Sequence, residues 1–246
     1  MNTVQVKIVK MHSIPSPDFS ALPGDEYLTF HKRRYAFLLE TIRGELQGAL
    51  DLHWRFLDVG PAFQTPLLRA AYPNAKVDTA GFVDRRFPAR VGEAHFETDL
   101  NSADQPDITG YDLIVMAEVL EHLYAPPTQV LTRIRKWLKP GGLLILQTPN
   151  PVSLGKRIQL LGGHSPFEII REHSTNPGHF CEYTVEDLSS VAKRAGFEVA
   201  DLRLTNYFGP GGFKNQIYNW LCLALPGNLQ DGITAVLRKP KSFVGE

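Results

Sequence analysis

The chain has 246 residues, of which 43% are hydrophobic and 21% charged, a length and composition suited to one α/β domain with at most a small appendage. Such a composition excludes a disordered chain. Lys and Arg (26) balance Asp and Glu (26), so the electrostatic footprint of a nucleic-acid-coating protein is missing and no nucleic-acid partner is expected. Two cysteines, Cys181 and Cys222, cannot make a disulfide framework or a cysteine-rich zinc site. No apolar run reaches the roughly 18–20 residues of a membrane span, and the first residues lack the pattern of a signal peptide. The expected setting is cytoplasmic.

Residues 1–24 carry Pro15, Pro17 and Pro23 and read as an extended N-terminal segment. From residue 25 to 48, apolar positions such as Leu28, Tyr35, Leu38, Ile42 and Leu46 recur at helical spacing. Within that helical lead-in, residues 31–34 (HKRR) form a positive run. The period then changes. Trp54 to Gly60 is a short apolar run stopped by glycine, which reads as a buried strand. Thr65-Pro66 reads as a helix cap with proline at the first helical position, opening a short helix closed by Pro73. Strands are expected at 76–82, 94–98, 111–118 and 143–148. The stretch between Asp84 and Asp99 is short for a helix, so that face of the sheet should be thinly covered. A helix is expected at 128–138, broken by Pro140-Gly141-Gly142, and another at 153–161. Thr184 caps a helix running to Ala195, with acids in its first turn and Gly196 behind it. Strands at 197–205 and 232–238 complete the pattern. The apolar stripe Tyr218, Trp220, Leu221, Cys222, Leu223 and Leu225 reads first as core, with a lipid or partner surface as the alternative.

Strands alternating with helices imply a parallel, helix-covered sheet, whose ligands bind beyond the C-terminal strand ends. The residues falling there are 58–64, Asp84, Asp99, 118–122 and 148–151. Gly60 gives the first strand-to-helix turn the lack of bulk that a cofactor needs. Asp84 ends the second strand and can accept from two ribose hydroxyls. Asp99 ends the third and can accept from an adenine amino group. The competing reading is that acids merely cap strand ends. Glu118, Glu121 and His122 lie at spacings of three and four, one face if helical. That set can supply a base or hold a divalent metal, the metal being the less favoured of the two. His164, His173 and His179 fall in one loop over the same edge, as lids do. HKRR and Lys156-Arg157 suit an anionic acceptor, or are solvated surface.

Residues 111–151, YDLIVMAEVLEHLYAPPTQVLTRIRKWLKPGGLLILQTPNP, and residues 182–199 resemble the class I S-adenosylmethionine-dependent methyltransferases. Within that class the chain is similar to the branch of ubiquinone-biosynthesis-type O-methyltransferases. The matched features are a fourth strand, an E-x-L-E-H turn, a helix, a K-P-G-G turn and a fifth strand ending in T-P-N. The aromatic lead-in with His31, Arg33 and Arg34 belongs to the same resemblance. It implies a Rossmann-like fold of seven strands, mostly parallel with the last antiparallel, and helices on both faces. One domain would run over 25–240: lead-in helix 25–48, core 54–208 and C-terminal strand region 209–240. It also implies S-adenosyl-L-methionine as cofactor and a small-molecule acceptor. Cofactor residues would be Asp58, Gly60, Ala62, Asp84, Asp99, Leu100, Ala117, Glu118 and Arg34; catalytic residues would be His122, Glu118 and His179. The family's first turn is G-x-G-x-G, whereas this chain has Gly60, Ala62 and Gln64. A Cβ forced into a left-handed conformation costs about 1–2 kcal/mol, so weakened cofactor binding is expected there. The rival readings are a cofactor-binding protein without transfer activity and a nicotinamide-dependent oxidoreductase. The G-x-G-x-x-G fingerprint of the latter is not met by Gly60, Ala62 and Thr65.

Overall fold

The computed structural model describes residues 5–9, 17, 19, 22, 26–47, 53–172, 177–208, 213–224 and 228–241. Eight strands form one sheet: β1 (Val6–Ile8), β2 (Arg55–Val59), β3 (Lys76–Gly81), β4 (His95–Glu97), β5 (Tyr111–Ala117), β6 (Leu138–Pro149), β7 (Glu198–Thr205) and β8 (Gly232–Arg238). Their order across the sheet is β1-β7-β8-β6-β5-β2-β3-β4. Pairings are parallel except around β8, which runs antiparallel to both β6 and β7. The sequence implies seven strands. The eighth is β1, from the N-terminal segment, which pairs with β7 through Val6 opposite Leu202 and Ile8 opposite Leu204. The rest of residues 1–24 is outside the described residues, apart from Gln5, Val9, Pro17, Phe19 and Leu22.

Central strands are apolar on both faces because both faces are covered. In β5, Leu113 and Val115 join a core with Leu38 and Ile42 of α1 (Glu26–Glu45) and Leu68 of α2 (Gln64–Ala71). Ile114 and Met116 point the other way. They pack with Leu131 and Ile134 of α3 (Pro127–Trp137) and Leu188 and Val191 of α5 (Val185–Arg194). This period of two makes one strand the centre of two cores. No helix covers residues 82–94, as their shortness implies; there Phe87 packs edge-on against Phe63 instead.

Several boundaries differ from the sequence reading. Thr65 is inside α2 and does not cap it; its hydroxyl donates to Asp58 instead. The K-P-G-G segment does not separate α3 from a later strand. Strand β6 starts at Leu138, pairs there with Tyr111, and resumes at Leu143 opposite Leu113 after a register shift. Glycine is required at 142, because a Cβ would meet the Tyr111 carbonyl oxygen at 3.0 Å. Thr184 caps α5 as expected, in a reciprocal capping box with Asp187. The apolar stripe divides: in α6 (Phe213–Ala224), Cys222 is buried while Trp220 and Leu223 are exposed. Leu225 lies outside the described residues. Helix α4 (Leu154–Leu161) also buries none of its residues. No helix among the described residues is long and apolar enough to cross a membrane.

Candidate active site

The sheet order reverses between β2, which leads outward to β3, and β5, which leads to β6. Crevices at such switch points receive ligands in open α/β sheets. A cavity of about 300 Å³ opens at this point, lined by Gly60, Gly81, Phe82, Asp99, Leu100, Glu118 and His122, among others. A second cleft of about 450 Å³ lies beside it, lined by Tyr27, Phe30, His31, Glu118, His122, Lys156, His179, Glu182 and Phe208, among others. Glu118 and His122 line both.

The β2–α2 turn forms one wall. Gly60 has φ +74°, and a Cβ there would stand 2.6 Å from Val119 Cγ2, so only glycine fits. Neither Ala62 nor Gln64 has a positive φ, so the expected strain at those two positions is absent. Gln64 contributes where the family has glycine: its Nε2 donates to Asp58 Oδ1 (3.1 Å) and to the Gly60 carbonyl (3.0 Å). Thr65 Oγ1 donates to the other Asp58 oxygen (2.5 Å). Asp58 is therefore an anchor of the turn and is fully buried, away from the cavity lining. Burial pushes its carboxyl up to about 7 against the lowering effect of the Thr65 and Gln64 hydrogen bonds.

The β5 end forms the opposite wall. Residues 120–122 make a single 3-10 turn, not a face of an α-helix; the Glu118 and Glu121 carboxyls meet, and a ligand atom of Glu121 lies within 4.8 Å of one of His122. Glu118 has φ +56°, a left-handed conformation that costs a non-glycine residue about 1–2 kcal/mol. Its Oε1 is buried and meets no donor, as is true of Glu121 Oε1. Burial raises both carboxyls, with the Arg34 charge opposing at Glu118 and the charge of Glu118 adding at Glu121. Arg34, on α1, is 1% exposed; its Nε donates to His31 Nδ1, and its Nη1 meets no acceptor. Strain and orphaned buried polar groups cluster where a ligand completes a site.

The imidazoles come together across 57 positions of chain. The amides of Phe180 and Cys181 donate to the Glu121 carbonyl, which lays residues 178–181 against the 3-10 turn. The His122 and His179 rings then stand edge to face, 4.8 Å between centroids. His122 Nδ1 is 2.9 Å from the Gly178 carbonyl, which can only accept, so the proton is on Nδ1 and Nε2 carries the lone pair. His179 Nδ1 is 2.8 Å from Glu182 Oε1, and Lys156 pairs with the other Glu182 oxygen. Burial works to raise the Glu182 carboxyl, but the hydrogen bonds from His179 and Lys156 outweigh it and hold it below its ordinary range. Burial lowers His122, a neutral imidazole at working pH.

Of the residues expected from sequence, the structure brings Gly60, Asp99, Leu100, Glu118, His122 and His179 to the two cavities. Ala117, at the end of β5, is buried in the α1-side core beside Glu118, and Ala62 packs near Phe63. Asp84 is not brought there: both its oxygens take hydrogen bonds from Arg86, and it lines neither cavity. His164 lines neither cavity, and His173 lies outside the described residues. Sequence reasoning missed the aromatic wall of Tyr27, Phe30 and Phe208: the first two stood in the aromatic lead-in helix without an assigned role, and Phe208, which follows β7, had no local signal. It also missed the Glu182 partner of His179, which lies within the matched segment.

A family model described as a methyltransferase domain matches residues 27–202. The chain thus belongs to the methyltransferase-domain family, enzymes that take their methyl group from S-adenosylmethionine. Among solved structures it is similar to an S-adenosylmethionine-dependent methyltransferase from Mesorhizobium loti (15% identity, TM-score 0.52, 82% of this chain and 98% of that one). It is also similar to one from Archaeoglobus fulgidus (15% identity, TM-score 0.54, 87% and 100%). The [4+2]-cyclase SpnF shares the fold as well (18% identity, TM-score 0.52, 85% and 83%). No curated protein matches the chain significantly.

Proposed function

We propose that the protein methylates an oxygen of a small-molecule acceptor, with cofactor and acceptor in the two adjoining cavities. The observation that carries this reading is their shared wall: Glu118 and His122 line both, so a ligand in each would meet at these residues. The cofactor supplies an electrophilic methyl group on a sulfonium. Its adenosine end suits the cavity of Gly60, Phe82, Asp99 and Leu100, where Asp99 offers a carboxylate. Its amino-acid end carries one ammonium and one carboxylate. The buried chain offers Glu118 Oε1 without a donor and Arg34 Nη1 without an acceptor, the complementary pair. Asp58 holds the turn against which it rests, through Gln64 and Thr65. An oxygen acceptor arrives protonated, and the groups at the junction able to help it lose that proton are His122 and His179, with Glu118 beside them. The aromatic rings of Tyr27, Phe30 and Phe208 exclude water from the acceptor side.

Calorimetric titration with S-adenosylmethionine and with a nicotinamide dinucleotide tests the first half: saturable binding of the former alone is expected. Incubating the enzyme and isotope-labelled S-adenosylmethionine with a metabolite extract, then locating the label by mass spectrometry, tests the second. Label appearing only on carbon or nitrogen would overturn the oxygen assignment.

A further inference from the structure

We propose that Glu121, His122 and His179 form a binding site for one divalent transition-metal ion beside the acceptor cleft, which His122 and His179 line and behind which Glu121 is buried. One ligand atom from each residue lies within 4.8 Å of the other two. Bonds of about 2.0–2.2 Å to nitrogen and oxygen place ligand atoms roughly 3–4 Å apart around an ion, so closing this set takes a shift of about 1 Å.

The surroundings of each ligand make the case stronger than proximity does. Metal-bound histidines hand their second ring nitrogen to a backbone carbonyl or a carboxylate, which fixes the tautomer and orients the lone pair. Both histidines here are held in that way, His122 by the Gly178 carbonyl and His179 by Glu182. Each keeps Nε2 as its free acceptor. Glu121 is fully buried; Thr148 Oγ1 donates to its Oε2 at 3.0 Å, and its Oε1 meets no donor among the described residues. A buried carboxylate oxygen without a donor costs free energy unless a cation or a proton meets it. The three ligands come from two segments joined by the backbone hydrogen bonds to the Glu121 carbonyl, so the site is built by the fold.

The donor set also selects the ion. Two imidazoles and one carboxylate suit zinc, iron(II), cobalt(II) or manganese(II), whereas Mg²⁺ prefers oxygens and keeps its waters. Glu118 is not a ligand: it falls outside the cluster, and Arg34 acts on its charge. Three protein ligands leave positions open toward the cleft. An acceptor hydroxyl bound there releases its proton to solvent at lower pH than when free. That last consequence rests on the methyl-transfer reading; ion binding does not.

The test is calorimetry on chelator-treated protein with Zn²⁺, Co²⁺ and Mg²⁺ in turn, with S-adenosylmethionine titrated separately. One equivalent of Zn²⁺ or Co²⁺ is expected, at least about 100-fold tighter than Mg²⁺. The Co²⁺ form should show visible absorption bands, which report nitrogen coordination in the intact protein. Loss of a histidine's outer partner costs about 10- to 100-fold in metal affinity, so His179→Ala should lose about 100-fold or more. Glu182→Gln should lose about 10-fold, with circular dichroism confirming the fold of each. Stoichiometric binding that survives in His179→Ala, a preference for Mg²⁺, or no binding by wild-type protein that still takes up S-adenosylmethionine would each overturn the site. Loss of S-adenosylmethionine uptake with Zn²⁺ binding intact would overturn the methyl-transfer reading instead.

Discussion

Two turns at the C-terminal edge of the same sheet are built in opposite ways. After β2, in the turn from Asp58 to Thr65, both Asp58 oxygens are taken, by Gln64 and Thr65, the one left-handed residue is glycine, and the atom left without a partner is a neutral amide oxygen, Gln64 Oε1. After β5, the turn from Glu118 to His122 is incomplete. A glutamate is left-handed, Glu118 and Glu121 each have an oxygen without a donor, and the histidines present lone pairs to a cleft. A carboxylate held by two donors fixes a shape, whereas buried carboxylate oxygens without donors suit a ligand. In the proposed function the first turn is accordingly the wall of the site and the second carries its chemistry.

Substitutions at the two turns should therefore separate activity from stability. The largest effect belongs to the second turn. His122→Ala and His179→Ala should each lower methyl transfer by about 10²–10⁴, the usual loss for a group that handles the acceptor's proton. Neither histidine is assigned a cofactor contact, so S-adenosylmethionine affinity should change little. Steady-state kinetics beside calorimetry would check the division, and near-normal turnover in both variants would remove the imidazoles from the reaction.

Next come the orphaned charges. Glu118→Gln and Arg34→Met should each weaken S-adenosylmethionine binding roughly 10- to 150-fold, since hydrogen bonds to charged groups are worth about 1.5–3 kcal/mol. If both variants bind as tightly as wild type, the amino-acid end of the cofactor sits elsewhere.

The first turn should respond in stability. Gln64→Gly restores the family's glycine but deletes two hydrogen bonds, and about 1–3 kcal/mol of unfolding free energy should be lost. Urea denaturation measures it. A variant as stable as wild type with tighter cofactor binding would show that Gln64 only fills space.

The same turn sets a pH dependence. Asp58 is raised from 3.8 to about 7 in the folded chain. The folded state therefore holds a proton that the unfolded state has released between about pH 4 and pH 7. Stability from this group is highest at the acid end and is lost as pH rises through 7. Asp58→Asn should remove that slope, so the stability difference between variant and wild type should move in the variant's favour from pH 4 to 7. A difference constant with pH would mean that Asp58 stays ionised.

The smallest effect is expected at Asp84. Its carboxylate is held by Arg86 at the surface, so Asp84→Ala should change S-adenosylmethionine affinity less than Asp99→Ala, whose residue lines the cavity. The reverse order would restore Asp84 as the ribose acceptor of the sequence reading and show that it leaves Arg86 on binding.

What the sequence determined by itself was local and periodic. The unbroken apolar run Leu113, Ile114, Val115 and Met116 named a strand covered on both faces, because successive side chains in a strand point to opposite sides and all four here are apolar. Glycine at 60 and the helix cap at Thr184 could be read because turn and cap chemistry acts over a few residues. Only the tertiary structure decided the rest. It joined His179 to His122, brought the Arg34 charge of α1 to bear on Glu118, and turned Asp58 inward while Asp84 went to Arg86. It also left Trp220 and Leu223 outside the core that their hydrophobicity suggested. Each of those outcomes depends on which distant backbone lies alongside. Hydrophobicity and spacing carry no record of that, because contacts between distant segments are chosen by the packing of the whole sheet.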